Sequence, residues 1–168
     1  MNVVRFEGKV AWRPQAGSQV AFLSCPIFEC LYEGTRGGGK TECLLMDFAK
    51  EVGKGYGAAW AGILFRKTYK QLSDVIAKIK KLFKMLFDHK KCKFNATDCS
   101  WNWDTGERLL LRHFDKKDDY YNYHGHEYSW LAFEELCSWA SSDPLVKMIS
   151  TVRCSRPGVP MRVRCTTN

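Results

Sequence analysis

The stretch that decides the fold reads Gly34-Thr35-Arg36-Gly37-Gly38-Gly39-Lys40-Thr41 and matches the pattern GxxxxGK[ST]. It follows a short apolar segment, 28–33, which predicts a buried strand, and it precedes segment 41–52, whose apolar residues have helical spacing. Glycines let the main chain curl so that its N–H groups point at a phosphate, and the helix adds the positive end of its dipole. We therefore predict a phosphate loop in which Lys40 reaches the β- and γ-phosphates and Thr41 binds Mg²⁺. The alternative is a glycine-rich turn that only connects two elements.

Two adjacent carboxylates end a second informative segment, Trp130-Leu131-Ala132-Phe133-Glu134-Glu135. Successive side chains of a strand point in opposite directions, so one acid can face a metal while its neighbour faces the γ-phosphate. We predict that Glu134 binds Mg²⁺ through water and that Glu135 activates the attacking water. The alternative is a solvent-exposed acidic strand end. The final residues, Thr166-Thr167-Asn168, are short and polar enough to reach a γ-phosphate, but they also suit any strand end.

Strand and helix patterns alternate along the rest of the chain, which predicts an α/β fold with a central sheet. An amphipathic helix is predicted at 71–87, and Asp143 with Pro144 predicts a further helix as far as about residue 153. A hairpin turn at Asp104-Thr105-Gly106 predicts an excursion between the second and later core strands. The remaining strands are predicted at 61–66, 93–95, 100–103, 108–114, 128–133 and 161–166.

Charge is concentrated in one part of the chain. The net charge is +8, and residues 61–93 carry ten basic and two acidic side chains. Such a patch indicates a polyanionic partner, with nucleic acid first, although a solvated helix face explains it equally well. The lysines that lie off the apolar stripe of the predicted helix, and that we expect to track DNA phosphates, are Lys70, Lys78, Lys81 and Lys84.

Composition excludes several classes of protein. With 45% apolar residues the 168-residue chain can build one core, which excludes a disordered protein, and no apolar run approaches the ~18 residues of a membrane span. The eight cysteines are scattered without a CxxC pair, so we expect reduced thiols inside a cell. His124-Gly125-His126 is the nearest approach to a metal-binding pattern, and ordinary turn and core roles fit it better.

Taken together, these elements resemble the ATPase domain of the large terminase subunit of tailed bacteriophages. The resemblance covers nearly the whole chain and includes an arginine inside the phosphate loop. It implies a P-loop NTPase of the ASCE, RecA-like type that uses ATP and Mg²⁺, with a mostly parallel sheet flanked by helices and without its C-terminal elements. The segments that carry it are Gly17-Ser18-Gln19, Tyr32 to Thr41, Phe65-Arg66-Lys67-Thr68-Tyr69, Tyr123 to Leu136, and Thr166-Thr167-Asn168.

The resemblance also implies roles for individual residues. Gln19 would contact the adenine, and Arg36 would contact the γ-phosphate from within the same subunit, for catalysis or sensing, or would hold the loop. Thr166-Thr167-Asn168 would be the coupling motif. Arg153 and Arg156 are possible arginines for a neighbouring subunit's site, or plain surface residues. Arg66 and Tyr69 would lie near the nucleotide or form an ordinary strand-to-helix junction.

By the same likeness, the chain would hydrolyse ATP to drive double-stranded DNA into a procapsid. It would work with a portal ring and a small terminase subunit as a pentamer, in the cytoplasm of the infected bacterium and transiently on the portal, with no membrane. We expect residues 1–168 to be the ATPase domain of a longer protein, without the nuclease domain and hence without DNA cleavage. One departure is Glu134, where the family usually has aspartate.

Two other functions share these motifs. A helicase-like or recombinase-like ATPase has the same loop and catalytic glutamate, and strand separation would identify it. A small P-loop kinase also fits the mass, but it needs no water-activating acid such as Glu135.

Overall fold

The computed structural model describes residues 4–6, 9–35 and 37–168. Within these ranges the strands are β1 (Val4–Phe6), β2 (Lys9–Trp12), β3 (Glu29–Glu33), β4 (Ala61–Arg66), β5 (Cys92–Asn95), β6 (Ser100–Trp103), β7 (Arg108–His113), β8 (Trp130–Phe133) and β9 (Arg162–Thr167). The α-helices are α1 (Ser18–Ser24), α2 (Lys40–Ala49), α3 (Tyr69–Leu86) and α4 (Asp143–Ile149). Short 3₁₀ turns lie at Gly57–Ala59, Lys117–Asn122 and Leu136–Ser138.

Seven strands form one sheet in the order β3-β9-β8-β4-β7-β6-β5. The five strands from β3 to β7 are parallel to one another, and β6 and β5 continue the sheet antiparallel. The predicted mostly parallel α/β sheet is therefore confirmed. Because the strands run the same way, the segments that follow β3, β9, β8 and β4 all leave the sheet at one edge, where α/β proteins bind ligands.

Both faces of the sheet are covered, which explains why its central strands are continuous apolar runs. Helices α1, α2 and α3 pack on one face, where Phe48, Ile79 and Phe83 are completely buried. Helix α4 and the segment before β8 cover the other face, where Met148 and Phe114 are buried. Among the described helices none is long and apolar enough to cross a membrane.

The hairpin excursion proved to be part of the sheet. Strand β7 pairs directly with β4, and β6 and β5 extend the sheet beyond it. The two tryptophans of β6 are buried on the helical face. Trp101 and Trp103 both pack against Phe83 of α3, with ring centroids 5.3 and 5.6 Å away. The predicted turn at residues 104–106 does join β6 to β7.

Two helix boundaries differ from the predicted ones. Helix α3 begins two residues before the predicted start because Thr68 and Gln71 form a capping box. Helix α4 ends at Ile149, short of the predicted residue 153, because Val152 pairs with Tyr128 in an isolated parallel bridge. Sequence reasoning missed α1 and the β1–β2 pair.

Candidate nucleotide-binding site

The phosphate loop connects β3 to α2 at the carboxyl edge of the sheet, as its position in the sequence predicted. Gly39 precedes the helix with φ +67°, and a Cβ atom there would lie 2.5 Å from Nε2 of Gln19. Glycine is therefore required at this position both by the backbone conformation and by the close neighbour. Arg36, predicted to contact the γ-phosphate, lies outside the described residues.

Lys40, the lysine of this loop, is folded back into it. Its Nζ donates hydrogen bonds to the carbonyl oxygens of Gly34 at 2.6 Å and Thr35 at 2.7 Å, and to Oδ1 of Asn168 at 2.8 Å. All three acceptors are neutral oxygens. Because a phosphate offers a charged and stronger acceptor, the ammonium is placed to exchange these contacts for a bound anion.

Glu134 follows β8 and is almost completely buried. Its Oε1 accepts a hydrogen bond from the hydroxyl of Thr41, while its Oε2 has no hydrogen-bond partner among the described residues. Burial raises the pKa of Glu134 above its usual value, although the hydrogen bond from Thr41 and the charges of Arg66 and Lys78 oppose the rise. The structure thus brings together the two residues predicted to hold a magnesium ion.

This pair fits the chemistry of magnesium. Mg²⁺ prefers carboxylate and hydroxyl oxygens and keeps several of its waters, and Glu134 presents a carboxylate oxygen without a hydrogen-bond partner next to the Thr41 hydroxyl. Among the described residues there is no group of three or more His, Cys, Asp or Glu side chains that could hold a metal ion. In the 124–126 segment, the Nδ1 atom of His124 lies 2.9 Å from the hydroxyl of Tyr120, and that of His126 lies 3.4 Å from the hydroxyl of Tyr128.

Glu135 adopts a backbone conformation that is unusual for a residue with a side chain. Its φ is +54°, in the left-handed region, and its N–H donates to Oγ1 of Thr166 at 3.0 Å. Non-glycine residues are held in this region at a cost, typically at functional sites. The conformation points the chain away from β8 and leaves about a third of the Glu135 side chain exposed to the cavity described below.

Arg66, which the sequence placed only loosely, joins both acids. It ends β4, and its Nη1 lies 3.2 Å from Oε2 of Glu135 while also donating to the carbonyl oxygen of Glu134 at 3.3 Å. Its Nε lies 3.7 Å from Oε2 of Glu134, close enough for an ion pair but too far for a hydrogen bond. Tyr69, considered together with Arg66, is two-thirds exposed and packs edge-on against His113.

The predicted coupling motif reaches the site through two of its three residues. Thr166 accepts the Glu135 hydrogen bond, and Asn168 donates from Nδ2 to Oε1 of Glu135 at 3.4 Å while accepting from Lys40. Asn168 is thus hydrogen-bonded both to the phosphate-loop lysine and to the second acid. Thr167 does not line the cavity described below, and its hydrogen bond with Cys137 lowers the pKa of that thiol.

A cavity of about 400 Å³ opens between these groups. One of its walls comes from α3 and contributes Lys78, which the sequence assigned to DNA. The lining residues are Gly37, Gly38, Gly39, Lys40, Thr41, Glu42, Lys78, Glu134, Glu135, Thr166 and Asn168.

Gln19, predicted to contact the adenine, supports the phosphate loop in this structure. Its side chain is buried, with Oε1 accepting from the N–H of Gln15 at 2.8 Å. Its Nε2 lies 3.3 and 3.4 Å from the carbonyl oxygens of Gly38 and Gly39. Helix α1, which carries Gln19, was the element that sequence patterns missed.

The other predicted residues lie away from the cavity. Arg153 is exposed and its N–H donates to the carbonyl of Tyr128, before the start of β8, and Arg156 donates to the carbonyl of Tyr56, before β4. Both arginines therefore lie at the edge of the sheet opposite the site. The lysines of α3 that are exposed and do not line the cavity are Lys70, Lys81 and Lys84.

Beneath the cavity lies a set of polar residues that sequence reasoning did not single out. We call Asp47, Lys50, Trp130 and Arg164 the Asp47 cluster. Asp47 accepts from Nε1 of Trp130 at 2.9 Å and pairs with Lys50 at 2.6 Å and with Nε of Arg164 at 3.2 Å. Burial lowers the pKa of Lys50, the neighbouring Asp47 carboxylate opposing it. The cluster ties together α2, β8 and β9, the three elements that carry the phosphate loop, the acids and the coupling motif.

Comparison with known proteins shows the family and the fold of the chain. The family model described as the N-terminal part of the T4-like-virus-type terminase large subunit matches residues 31–167. No curated protein matches the chain.

Solved structures of large terminases share the fold. The chain superposes on the large terminase of a thermophilic bacteriophage with a TM-score of 0.65 at 16% identity, covering 93% of this chain and 39% of that one. The same enzyme solved in complex with ADP gives a TM-score of 0.63 at 17% identity, covering 90% and 38%. The large terminase of bacteriophage HK97 gives 0.63 at 12% identity, covering 89% and 31%. The chain thus spans less than half the length of these terminases. It belongs to the terminase large subunit family and has the RecA-like P-loop fold of that family's N-terminal ATPase domain.

Proposed function

We propose that this chain binds ATP in the cavity and hydrolyses it to move double-stranded DNA into a procapsid. The observation that supports this most is the meeting of Lys40, Thr41, Glu134, Glu135 and Asn168 around one cavity at the carboxyl edge of the sheet. These are the groups that a phosphate-transfer site needs. A terminase of the same fold has been solved with ADP, which supports a nucleotide as the ligand.

Binding of the triphosphate would use the phosphate loop and the start of α2. The main-chain N–H groups around Gly38 and Gly39 and the dipole of α2 would hold the phosphates, and Lys40 would exchange its neutral acceptors for phosphate oxygens. Thr41 and Glu134 would hold a magnesium ion, which supplies positive charge to offset that of the phosphates.

Hydrolysis would depend on Glu135 as the base that accepts a proton from the attacking water. The guanidinium of Arg66 would position both acids, since it contacts Glu135 at 3.2 Å and the carbonyl of Glu134 at 3.3 Å. Asn168 would link the state of the phosphates to the end of β9, because it hydrogen-bonds both Lys40 and Glu135. Arg36 remains a proposed γ-phosphate contact from the same subunit, for catalysis or sensing.

DNA would be held by the exposed basic side of α3 through Lys70, Lys81 and Lys84. A cleft of about 530 Å³ lies beside the end of this helix, and its lining of Lys80, Lys84, Lys93, His89 and aromatic residues supports further phosphate contacts there. Contacts of this kind hold phosphates without reading bases, as a translocating motor requires.

Assembly on a portal ring with a small terminase subunit, as a pentamer, is part of the same proposal. Arg153 and Arg156 lie opposite their own cavity, so either would serve only a neighbouring subunit's site. The motor would act in the cytoplasm of the infected bacterium and transiently on the procapsid. We assign no DNA cleavage to these residues.

A phosphate-release assay with and without duplex DNA tests the proposal. We expect ATP hydrolysis that duplex DNA stimulates and that rising salt weakens, because phosphate contacts release counterions. Lys40→Ala should abolish hydrolysis while the chain stays folded. Hydrolysis that is equal in wild type and Lys40→Ala would contradict the proposal.

Two further readouts separate the alternatives. Separation of duplex strands would indicate a helicase-like enzyme, and transfer of the phosphoryl group to a small molecule instead of water would indicate a kinase. The adjacent acids at the cavity favour water as the acceptor, so we expect neither activity.

A further inference from the structure

Lys78 stands apart from the other lysines that the sequence assigned to DNA. Helix α3 packs on the same face of the sheet as α2, and this places Lys78 in the cavity wall together with Lys40, Glu134 and Glu135. Lys70, Lys81 and Lys84 are absent from the lining of this cavity, within the described part of the chain. The position of Lys78 is therefore that of a nucleotide-site residue.

Arg66 pairs with both acids from the end of β4, and the described lining of the cavity itself contributes the cations Lys40 and Lys78. Three carboxylates, those of Glu42, Glu134 and Glu135, line it, and Lys40 is already held by the loop carbonyls and Asn168. Helix α3 follows β4, the neighbour of β8 in the sheet, whereas the phosphate loop follows β3, which lies on the far side of β9. Lys78 thus lies on the side of the cavity where the acids lie.

That side of the cavity is where the terminal phosphate would react, because Glu134 and Glu135 are the proposed metal ligand and base. A diphosphate has no group there, whereas a triphosphate presents a charged phosphate to any cation beside the acids. We propose that Lys78 is a second phosphate-binding lysine, which contacts the terminal phosphate of ATP and sets the preference for ATP over ADP. This inference rests on the proposed function of the cavity.

Binding of ADP and of a non-hydrolysable ATP analogue, measured by calorimetry on the whole chain without DNA, tests the inference. Lys78→Gln should weaken the analogue about tenfold, the size of one lost charge-assisted hydrogen bond, and leave ADP unchanged. Lys78→Arg should restore much of the loss. The matched control is Lys90→Gln, because Lys90 is an exposed lysine just after α3 that lines neither cavity, and it should change nothing.

An equal loss for both nucleotides, or no loss for either, would overturn the inference. The inference would also be overturned if Lys78→Gln lowered DNA affinity as much as Lys81→Gln and left nucleotide binding intact. Lys78 would then belong to the DNA-binding surface. Lys40→Ala distinguishes failure of this inference from failure of the proposed function. If Lys40→Ala loses both nucleotides and Lys78→Gln keeps the analogue, only the inference fails; if wild type binds neither nucleotide, the proposed function fails with it.

Discussion

The Asp47 cluster and the cavity above it join the same three elements, α2, β8 and β9, with opposite kinds of polar contact. In the cluster, Asp47 and Arg164 are both completely buried and contact each other, and Arg164 also donates to the carbonyl oxygens of Cys25, Ile27 and Phe28. At the cavity, Lys40 is held by neutral acceptors and Oε2 of Glu134 has no hydrogen-bond partner among the described residues.

This difference separates permanent from exchangeable contacts. A buried ion pair between strands and a helix fixes how three elements meet, and the cost of removing one partner is high. An ammonium bound to neutral acceptors can form stronger hydrogen bonds to a phosphate, and a carboxylate oxygen without a hydrogen-bond partner can bind a metal ion. The chain therefore holds its elements rigidly below the site and leaves the reactive groups ready to change partners.

The largest effect should come from breaking the Asp47 cluster. Asp47→Ala leaves Arg164 buried without its carboxylate and Trp130 without its acceptor, so we expect the free energy of unfolding to fall by about 3–5 kcal/mol. Denaturant-induced unfolding measures this. Asp74→Ala, on the exposed side of α3, is the matched control and should change stability by less than about 0.5 kcal/mol. Similar losses in the two variants would remove the basis for treating the cluster as a permanent clamp.

Next in size is the effect of removing the proposed base at the cavity. Glu135→Gln keeps the shape of the side chain but cannot accept the proton, so hydrolysis should fall at least about a hundredfold while nucleotide binding and stability change little. Steady-state phosphate release and nucleotide titration together measure this. Glu29→Gln, at the opposite end of β3, should hydrolyse ATP like wild type. If Glu135→Gln retained hydrolysis, another group would have to be the base.

The features that could be predicted from the sequence are those formed by residues close together in the chain. The phosphate loop, the acid pair and the amphipathic helix each depend on residues close together in the chain, so their spacing alone predicted them. Arg66 needed more, because it meets Glu134 only through the adjacency of β4 and β8, which pair Phe65 with Phe133. Local sequence patterns do not predict the order of strands in a sheet. A prediction that β4 and β8 are parallel neighbours would have placed Arg66 beside the acids.

The remaining features depend on long-range packing or on weak local signals. Asp47 lies within a predicted helix, where one acid among apolar residues looks like a solvent-facing position, and its partners Trp130 and Arg164 are 83 and more residues away. In the sequence, Lys78 fits the pattern of a solvated lysine on an amphipathic helix. Its place in the cavity lining results from the packing of α3 on the same face of the sheet as α2. Helix α1 has seven residues and no side-chain cap, so its sequence carries almost no helical signal.

The smallest effect, and the one that links the two regions, concerns Glu134. Burial raises the pKa of this carboxyl, so its ionised form costs folding free energy. The stability that the neutral form contributes is present below the ordinary glutamate pKa and is lost as pH rises through the raised pKa. Glu134→Gln removes this cost, and at pH 8 it should raise the melting temperature by about 2–4 °C, the shift that ~1 kcal/mol gives in a chain of this size.

The same variant should show no gain near pH 4, where the wild-type carboxyl is protonated, and it should lose magnesium-dependent hydrolysis at every pH. Thermal melts of both proteins across this pH range measure the difference. A melting temperature that falls at pH 8 would mean that the Arg66 ion pair outweighs burial, and Glu134 would then belong with the permanent contacts of the Asp47 cluster. A gain in stability together with a loss of hydrolysis would instead show that the buried carboxylate of Glu134 costs folding free energy and is needed for activity.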